Sequence, residues 1–169
     1  MTKDFEALPE LKAKDIENTE KKGWDFLFLC TDKYFEMINE KPEIIAEFND
    51  SQHTLLAYNY LYGEVVNGGF IQLIVNGHGP YVLNEHFSER IKSWGAKNIA
   101  EITEKAIIIY EKHKDEMERK LSAEEFSALY EQIPDFDLLD DEFYEIADDE
   151  TEIIKKYVEE NINDFAKII

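Results

Sequence analysis

The sequence predicts an all-α fold, a single-domain multi-helix bundle with short helix-helix corners. Three observations predict it. Apolar residues recur at spacings of three and four along most of the chain, which is the period of a helix that buries one face. Pro9, Pro42, Pro80 and Pro134 punctuate those stretches as breakers, because a proline removes a backbone donor and biases its predecessor away from helix. No run alternates long enough for a strand, and no repeat or Gly/Ser linker divides the 169 residues, a length suited to one domain with a sizeable core.

Residues 1–20 are polar and charged, with Phe5, Leu8, Leu11 and Ile16 as scattered apolar anchors, and read as an arm or short helix ahead of a helical domain at 21–169. Gly23 precedes Trp24, Phe26, Leu27, Phe28, Cys30, Tyr34, Phe35 and Ile38, a density that suits a helix buried on most of its circumference. Pro42 ends that helix. Cys30 is the only cysteine and has no basic neighbour, so it is expected to be a small buried hydrophobe rather than a reactive thiol. Ile44, Ile45 and Phe48 form a short helical turn, and Asn49, Asp50 and Ser51 offer N-caps for the next helix.

Asn67-Gly68 between valines and Phe70-Ile71 matches a two-residue hairpin turn. The wider pattern overrides it: Leu55, Leu56, Tyr58, Leu61, Tyr62 and Val65 before it, and Phe70, Ile71, Leu73 and Ile74 after it, keep the helical period. A helix therefore ends at Asn67-Gly68, with Gly68 or Gly69 supplying the left-handed residue that a Cβ disfavours. After Gly77–Pro80 a helix is expected from about Val82 to Trp94, closed by Gly95. Ala96 opens a longer amphipathic helix with Ile99, Ile102, Ala106, Ile109 and Tyr110 as its apolar stripe. Ser122-Ala-Glu-Glu125 is a capping box, and Phe126, Leu129, Tyr130 and Ile133 follow as a core face up to Pro134. In the acidic helical segment 131–169, Leu138, Leu139, Phe143, Tyr144 and Ile146 are assigned to the inner side. A last helix is expected to begin near Thr151 and to bury Ile153 or Ile154, Tyr157, Val158, Ile162 and Phe165.

With 18 basic and 38 acidic residues the formal net charge is −20, while 44% hydrophobic and 13% aromatic residues are those of a folded globule. The charge is concentrated: residues 131–169 carry 3 basic and 14 acidic side chains. Such a field repels nucleic acid and anionic membranes and attracts basic surfaces over a Debye length of about 8–10 Å. Direct nucleic-acid binding is thereby excluded. The apolar run Phe26–Leu29 is far short of the roughly 20 residues that span a bilayer, and Met1–Ala7 lacks the basic-then-apolar form of a signal peptide. A cytoplasmic protein without membrane association is expected.

Chemistry has little to stand on. Asp135, Asp137, Asp140, Asp141, Glu142 and Glu145 invite comparison with a calcium loop, but Asp140 stands where that loop needs glycine, and Leu139 and Ile146 occupy ligand positions. His53, His78, His86 and His113 show neither paired spacing nor companion cysteines for zinc. No nucleophile motif or phosphate-binding glycine fingerprint appears. No catalytic residue, metal or cofactor is assigned, and the protein is read as a non-enzyme.

Two sets of residues remain. Glu64, Asn67, Gln72 and Asn76 either converge as a small ligand pocket or cap helix ends and satisfy buried backbone. Glu64, Asn67-Gly68-Gly69-Phe70, Gln72 and Asn76 resemble the E-x-x-N-G-G-F-x-Q-x-x-x-N core of the family of bacterial DNA-mimic proteins typified by the Neisseria protein DMP19. Gly95-Ala96 before an apolar helix, and Asp137-Leu138-Leu139-Asp140 running into Phe143-Tyr144, fit the same resemblance, which covers roughly residues 50–145. It implies an acidic protein that occupies the DNA-binding face of a basic protein, such as a helix-turn-helix transcription factor, and blocks it by competitive occlusion; it also implies a homodimer. The partner-binding face falls to Asp135, Asp137, Asp140, Asp141, Glu142, Glu145, Asp148, Asp149, Glu152 and Glu159, whose helical spacing projects carboxylates outward together. Two alternatives stay open: an immunity-type inhibitor of a basic toxin, and a small-molecule-binding or enzymatic domain centred on the Asn67-Gly68-Gly69 corner.

Overall fold

Helices dominate the computed structural model, which describes residues 7–19 and 23–169. In chain order they are α1 (Ala13–Glu17), α2 (Gly23–Glu40), α3 (Asp50–Val75), α4 (Gly79–Val82), α5 (Glu85–Ser93), α6 (Lys97–Glu118), α7 (Ala123–Gln132) and α8 (Asp137–Glu160), with short 3-10 turns at Pro42–Glu47, Pro134–Phe136 and Ile162–Asp164. The all-α expectation holds. One addition is a parallel pairing of two-residue strands, β1 (Glu10–Leu11) with β2 (Lys167–Ile168), in the register Glu10 to Lys167 and Leu11 to Ile168. Such pieces are too short to carry a periodicity. The expected arm at 1–20 lies partly outside the described residues, and within them it holds β1 and α1.

The chain forms two compact units, Met1–Leu56 with Thr151–Ile169, and Ala57–Glu150. In the first, Phe26, Leu27, Cys30 and Tyr34 on α2 are buried together with Phe48, Leu55, Ile154, Val158 and Phe165. Cys30 is fully buried, and burial pushes its thiol up to about 12, as its apolar surroundings predict. Tyr34 donates its hydroxyl to the Phe165 carbonyl at 2.9 Å. Asn49 caps α3 reciprocally: its Oδ1 accepts from the Gln52 N–H at 2.8 Å, and Gln52 Oε1 accepts from the Asn49 N–H at 3.0 Å, the carboxamide version of a capping box.

The second unit carries the corner. As expected, α3 is two helical stretches that meet at a kink: the backbone leaves helical geometry at Gly68 (φ −154°, ψ 17°) and Gly69 (φ 75°, ψ −177°). Gly69 supplies the positive φ, although its ψ places it in the extended, glycine-only region and not in the left-handed helical one expected of a helix C-terminus. Five residues before Gly68, Gly63 is exposed in helix interior, and a Cβ added there would meet nothing within 4 Å. Gly63→Ala should therefore stabilise the protein by about 0.5–1 kcal/mol, read as a shift in the urea midpoint, because alanine loses less backbone entropy in a helix.

The stretch expected as one helix at 82–94 is split. Asn84 breaks it and caps α5 through its side chain, which accepts from the Phe87 N–H at 2.9 Å. Gly95 (φ 101°) closes that helix as expected, and the Ser122–Glu125 capping box opens α7. A larger correction concerns the C-terminal half: no helix starts near Thr151, because α8 runs unbroken through it, and Thr151 is buried. On α8, Leu139 and Phe143 are buried as assigned, whereas Leu138 (67% exposed) and Tyr144 (47%) are not. Of the later choices, Ile154 rather than Ile153 is buried, with Val158 and Phe165, and Tyr157 and Ile162 are half-buried.

Candidate functional site

Two structural features occupy one unit: the corner at Gly68–Phe70, and the outer face of α8 from Asp137 to Asp149. The corner is held by residues far away in sequence. Phe136, Asp140 and Phe143 fall on one side of the α8 entry, at the three-and-four spacing that aligns side chains on a helix. All three address Phe70: Phe136 stacks at 5.9 Å between ring centroids, Phe143 meets it edge-on at 6.3 Å, and Asp140 Oδ1 accepts its N–H at 2.9 Å. Phe70 is the first residue after the break in α3, where a helix start leaves its N–H without an internal acceptor. Asp140 supplies that acceptor.

The other side of the break is met by phenols. Tyr130 on α7 donates to the Gly68 carbonyl at 2.7 Å, and Tyr144 donates to the Val65 carbonyl at 3.0 Å. Burial, helped by the Asp140 charge, holds both hydroxyls above the usual tyrosine value. Asp140 itself is pushed up to about 6, chiefly by burial, with Asp137 and Asp141 adding to the shift against the pull of the Phe70 N–H. A protonatable carboxyl thus sits under the corner.

The polar motif residues bond one another. Asn67 Nδ2 donates to Gln72 Oε1 at 3.1 Å, Gln72 Nε2 and Asn76 Nδ2 both donate to Glu64 Oε2 at 2.8 Å, and His78 Nε2 stands 3.6 Å from Glu64 Oε1. Tyr60 stacks on His78 at 4.1 Å. Glu64 is thus the hub to which three of these side chains converge. Its Oε2 is taken up by the chain's own Gln72 and Asn76 amides.

The ten acidic residues singled out from the sequence separate by place. Asp137, Asp141, Glu145, Asp148 and Asp149 are exposed on one arc of α8, and Asp135 is exposed in the turn just before it. Tyr62 orients Asp148 through a 2.9 Å hydrogen bond to Oδ1. Glu142 is half-buried at the edge of this arc, 3.5 Å from Lys105 Nζ, which also pairs with Glu101 at 3.1 Å. Glu142, Glu145 and Ile146 line a surface depression of about 260 Å3 with Glu101, Ile102 and Lys105 of α6. Asp140 turns inward to Phe70. Glu152 and Glu159 belong to the other unit: Glu152 accepts the Gly23 N–H at 2.6 Å, at the start of α2, and Glu159 pairs with Lys155 at 3.0 Å.

One acidic residue with a definite job escaped the sequence reading. Glu150 is 4% exposed and accepts from Asn98 Nδ2 at 2.9 Å and from the Ile99 N–H at 3.0 Å, so it caps the N-terminus of α6, where negative charge is favoured. Helical phase carries the signal: Glu150 lies three and seven residues after Ala147 and Phe143, on the buried side. Among the described residues no group of three His, Cys, Asp or Glu side chains is placed to hold a metal ion, and no helix is long and apolar enough to cross a membrane.

The corner and this face lie within the stretch that is similar to known proteins. A family model described as DMP19-like protein matches residues 46–161. The chain belongs to the DMP19-like family. Within it, the DNA mimic protein DMP19 of Neisseria meningitidis serogroup B is 31% identical over 127 residues, covering 75% of this chain and 77% of that protein. The DMP19-like match runs from the turn before α3 to the end of α8, and so includes Glu64, the Gly68–Phe70 break, Asp140 and the whole acidic arc.

Proposed function

We propose that this protein is a DNA mimic whose outer α8 face, centred on Asp137, Asp141, Glu145, Asp148 and Asp149, occupies the DNA-binding surface of a basic protein and blocks it by competitive occlusion. The relative's name, DNA mimic protein, supports the class of activity. The observation that carries the reading is the spacing of charge on a rigid element. From Asp137 to Asp149 the helix advances by twelve residues, about 18 Å at 1.5 Å per residue. Five exposed carboxylates on that length are separated axially by about 4–5 Å on average, close to the one phosphate per roughly 3.4 Å of a single DNA strand. The buried side of α8 fixes the backbone that carries the row, and Tyr62 fixes Asp148, so a surface of lysines and arginines meets it without ordering a flexible chain.

No bond is made or broken in this function. The partner class follows from charge: a net −20 repels nucleic acid and draws cationic surfaces, and a helix-turn-helix transcription factor is the expected kind of target. Cytoplasmic residence and assembly as a homodimer that extends the row belong to the same reading.

The test is displacement. Helix-turn-helix proteins encoded by the same genome, each bound to its labelled operator, are titrated with the protein at low and moderate salt. Release of DNA from at least one of them is expected, weakening as salt rises because phosphate-like contacts are screened. A variant carrying Asp137→Asn, Asp141→Asn, Glu145→Gln, Asp148→Asn and Asp149→Asn should fold with at least wild-type stability, since it removes self-repulsion, and lose at least tenfold in apparent affinity. No release at low salt, or equal release by that variant, would rule the face out.

A further inference from the structure

From Asp137 to Asp149 the exposed residues of α8 are Asp137, Leu138, Asp141, Tyr144, Glu145, Asp148 and Asp149, with Glu142 half-buried at the edge of the arc. All of them are acidic except Leu138 and Tyr144. That leucine is 67% exposed, and it stands three and four residues before Asp141 and Glu142, about 5–6 Å from each at Cβ. Nothing in the helix demands an apolar residue there: the buried side of α8 is already supplied by Leu139, Phe143 and Ala147. Tyr144, three residues beyond Asp141, adds a second exposed apolar group, a ring pinned by its hydroxyl to the Val65 carbonyl and 47% exposed as a residue. Asp141 therefore sits between two exposed apolar groups.

DNA offers the same combination. Phosphates give a protein its grip and register, while in the major groove the thymine methyl is an isolated apolar group that Ala, Thr or Phe side chains contact. We infer that Leu138 is the specificity element of the acidic face, supplying to the partner the apolar contact that a thymine methyl supplies on DNA, with the Tyr144 ring on the other side of Asp141. This rests on the proposed DNA-mimic reading and narrows it: the occupant is a basic helix that presents an apolar side chain among its cations, as a groove-reading helix does. Charge complementarity selects the occupant's sign. Leu138 and Tyr144 select its apolar partner, in the way a desolvated anchor ringed by polar contacts concentrates binding energy.

Two synthetic helical peptides of equal positive charge are the probes: one with lysine and arginine on an otherwise alanine scaffold, the other with leucines replacing alanines between the cations. Affinity for the full chain is measured by fluorescence anisotropy at low and moderate salt. The leucine-bearing peptide should bind about tenfold tighter, equal to about 1.4 kcal/mol, and that ratio should persist as salt weakens both peptides. Leu138→Ser, an exposed change with a melting curve like wild type, should abolish the ratio and leave the alanine peptide's affinity as it was. Asp137→Asn with Asp141→Asn should weaken both peptides together. Equal binding of the two peptides, or an equal loss of both in Leu138→Ser, overturns the role of Leu138 while leaving the acidic face in place. Failure of both peptides to bind at low salt overturns the acidic face and this inference with it.

Discussion

Gly69→Ala is expected to lower the unfolding free energy by about 2–4 kcal/mol, measured by urea denaturation followed by circular dichroism. Two independent penalties meet at this position. Its backbone, at φ 75° and ψ −177°, lies in a region that side-chain-bearing residues enter only at a cost of about 1–3 kcal/mol. A Cβ there would also collide with Asp140 Oδ2 and stand 2.8 Å from Asp140 Cγ, so the carboxylate has to withdraw and release the Phe70 N–H. Leaving a buried donor unsatisfied adds about 1–3 kcal/mol. The parts can be separated because only the second depends on Asp140. In an Asp140→Ala background the further cost of Gly69→Ala should shrink to the backbone contribution, giving a coupling of at least about 0.5 kcal/mol in the double-mutant cycle. Strict additivity would mean that the carboxylate is not what excludes a side chain at position 69.

The same contact explains what was and was not legible in the sequence. Asn67-Gly68-Gly69-Phe70 and the run Asp137 to Tyr144 could both be singled out, and the structure joins them through the Phe70 ring, the Asp140 carboxylate and the Tyr144 hydroxyl. The joining itself was not legible, because a carboxylate that caps a backbone break from another helix leaves no periodic trace. Asp140 therefore looked like its neighbours Asp137 and Asp141. Local signals fared well where the chemistry is local: the Ser122 capping box, Gly95 at positive φ and the buried Cys30 all sit where short-range rules place them. The run Asp148-Asp149-Glu150-Thr151-Glu152 misled for the opposite reason. It reads as a polar junction and a helix start, yet Glu150 and Thr151 are buried, and the α6 N-terminus satisfies Glu150 through Asn98 and Ile99. Tertiary partners keep α8 continuous where composition suggests a break.

Asp140 also gives the corner a pH signature whose sign is unusual for an aspartate. Its folded-state value is raised to about 6, against about 3.9 for an exposed aspartate. Between those values the folded protein binds more protons than the unfolded chain, so this group's contribution to stability is fully present below about pH 4 and is lost as pH rises through 6. Above pH 6 the wild-type chain holds a half-buried charge beside Asp137 and Asp141. Asparagine keeps an oxygen that can accept the Phe70 N–H and carries no charge. Asp140→Asn is therefore expected to match wild type near pH 4 and to exceed it by about 1 kcal/mol at pH 7.5, a figure discounted for solvent screening. Asp140→Ala, which offers no acceptor, should be less stable than wild type at both values by about 1–3 kcal/mol. Urea midpoints of the three proteins across pH 4 to 7.5 test the sign directly. An asparagine variant weaker than wild type at pH 7.5 and equal at pH 4 would show that the Phe70 N–H needs the ionised oxygen, and that attraction to the helix start outweighs burial at this carboxylate.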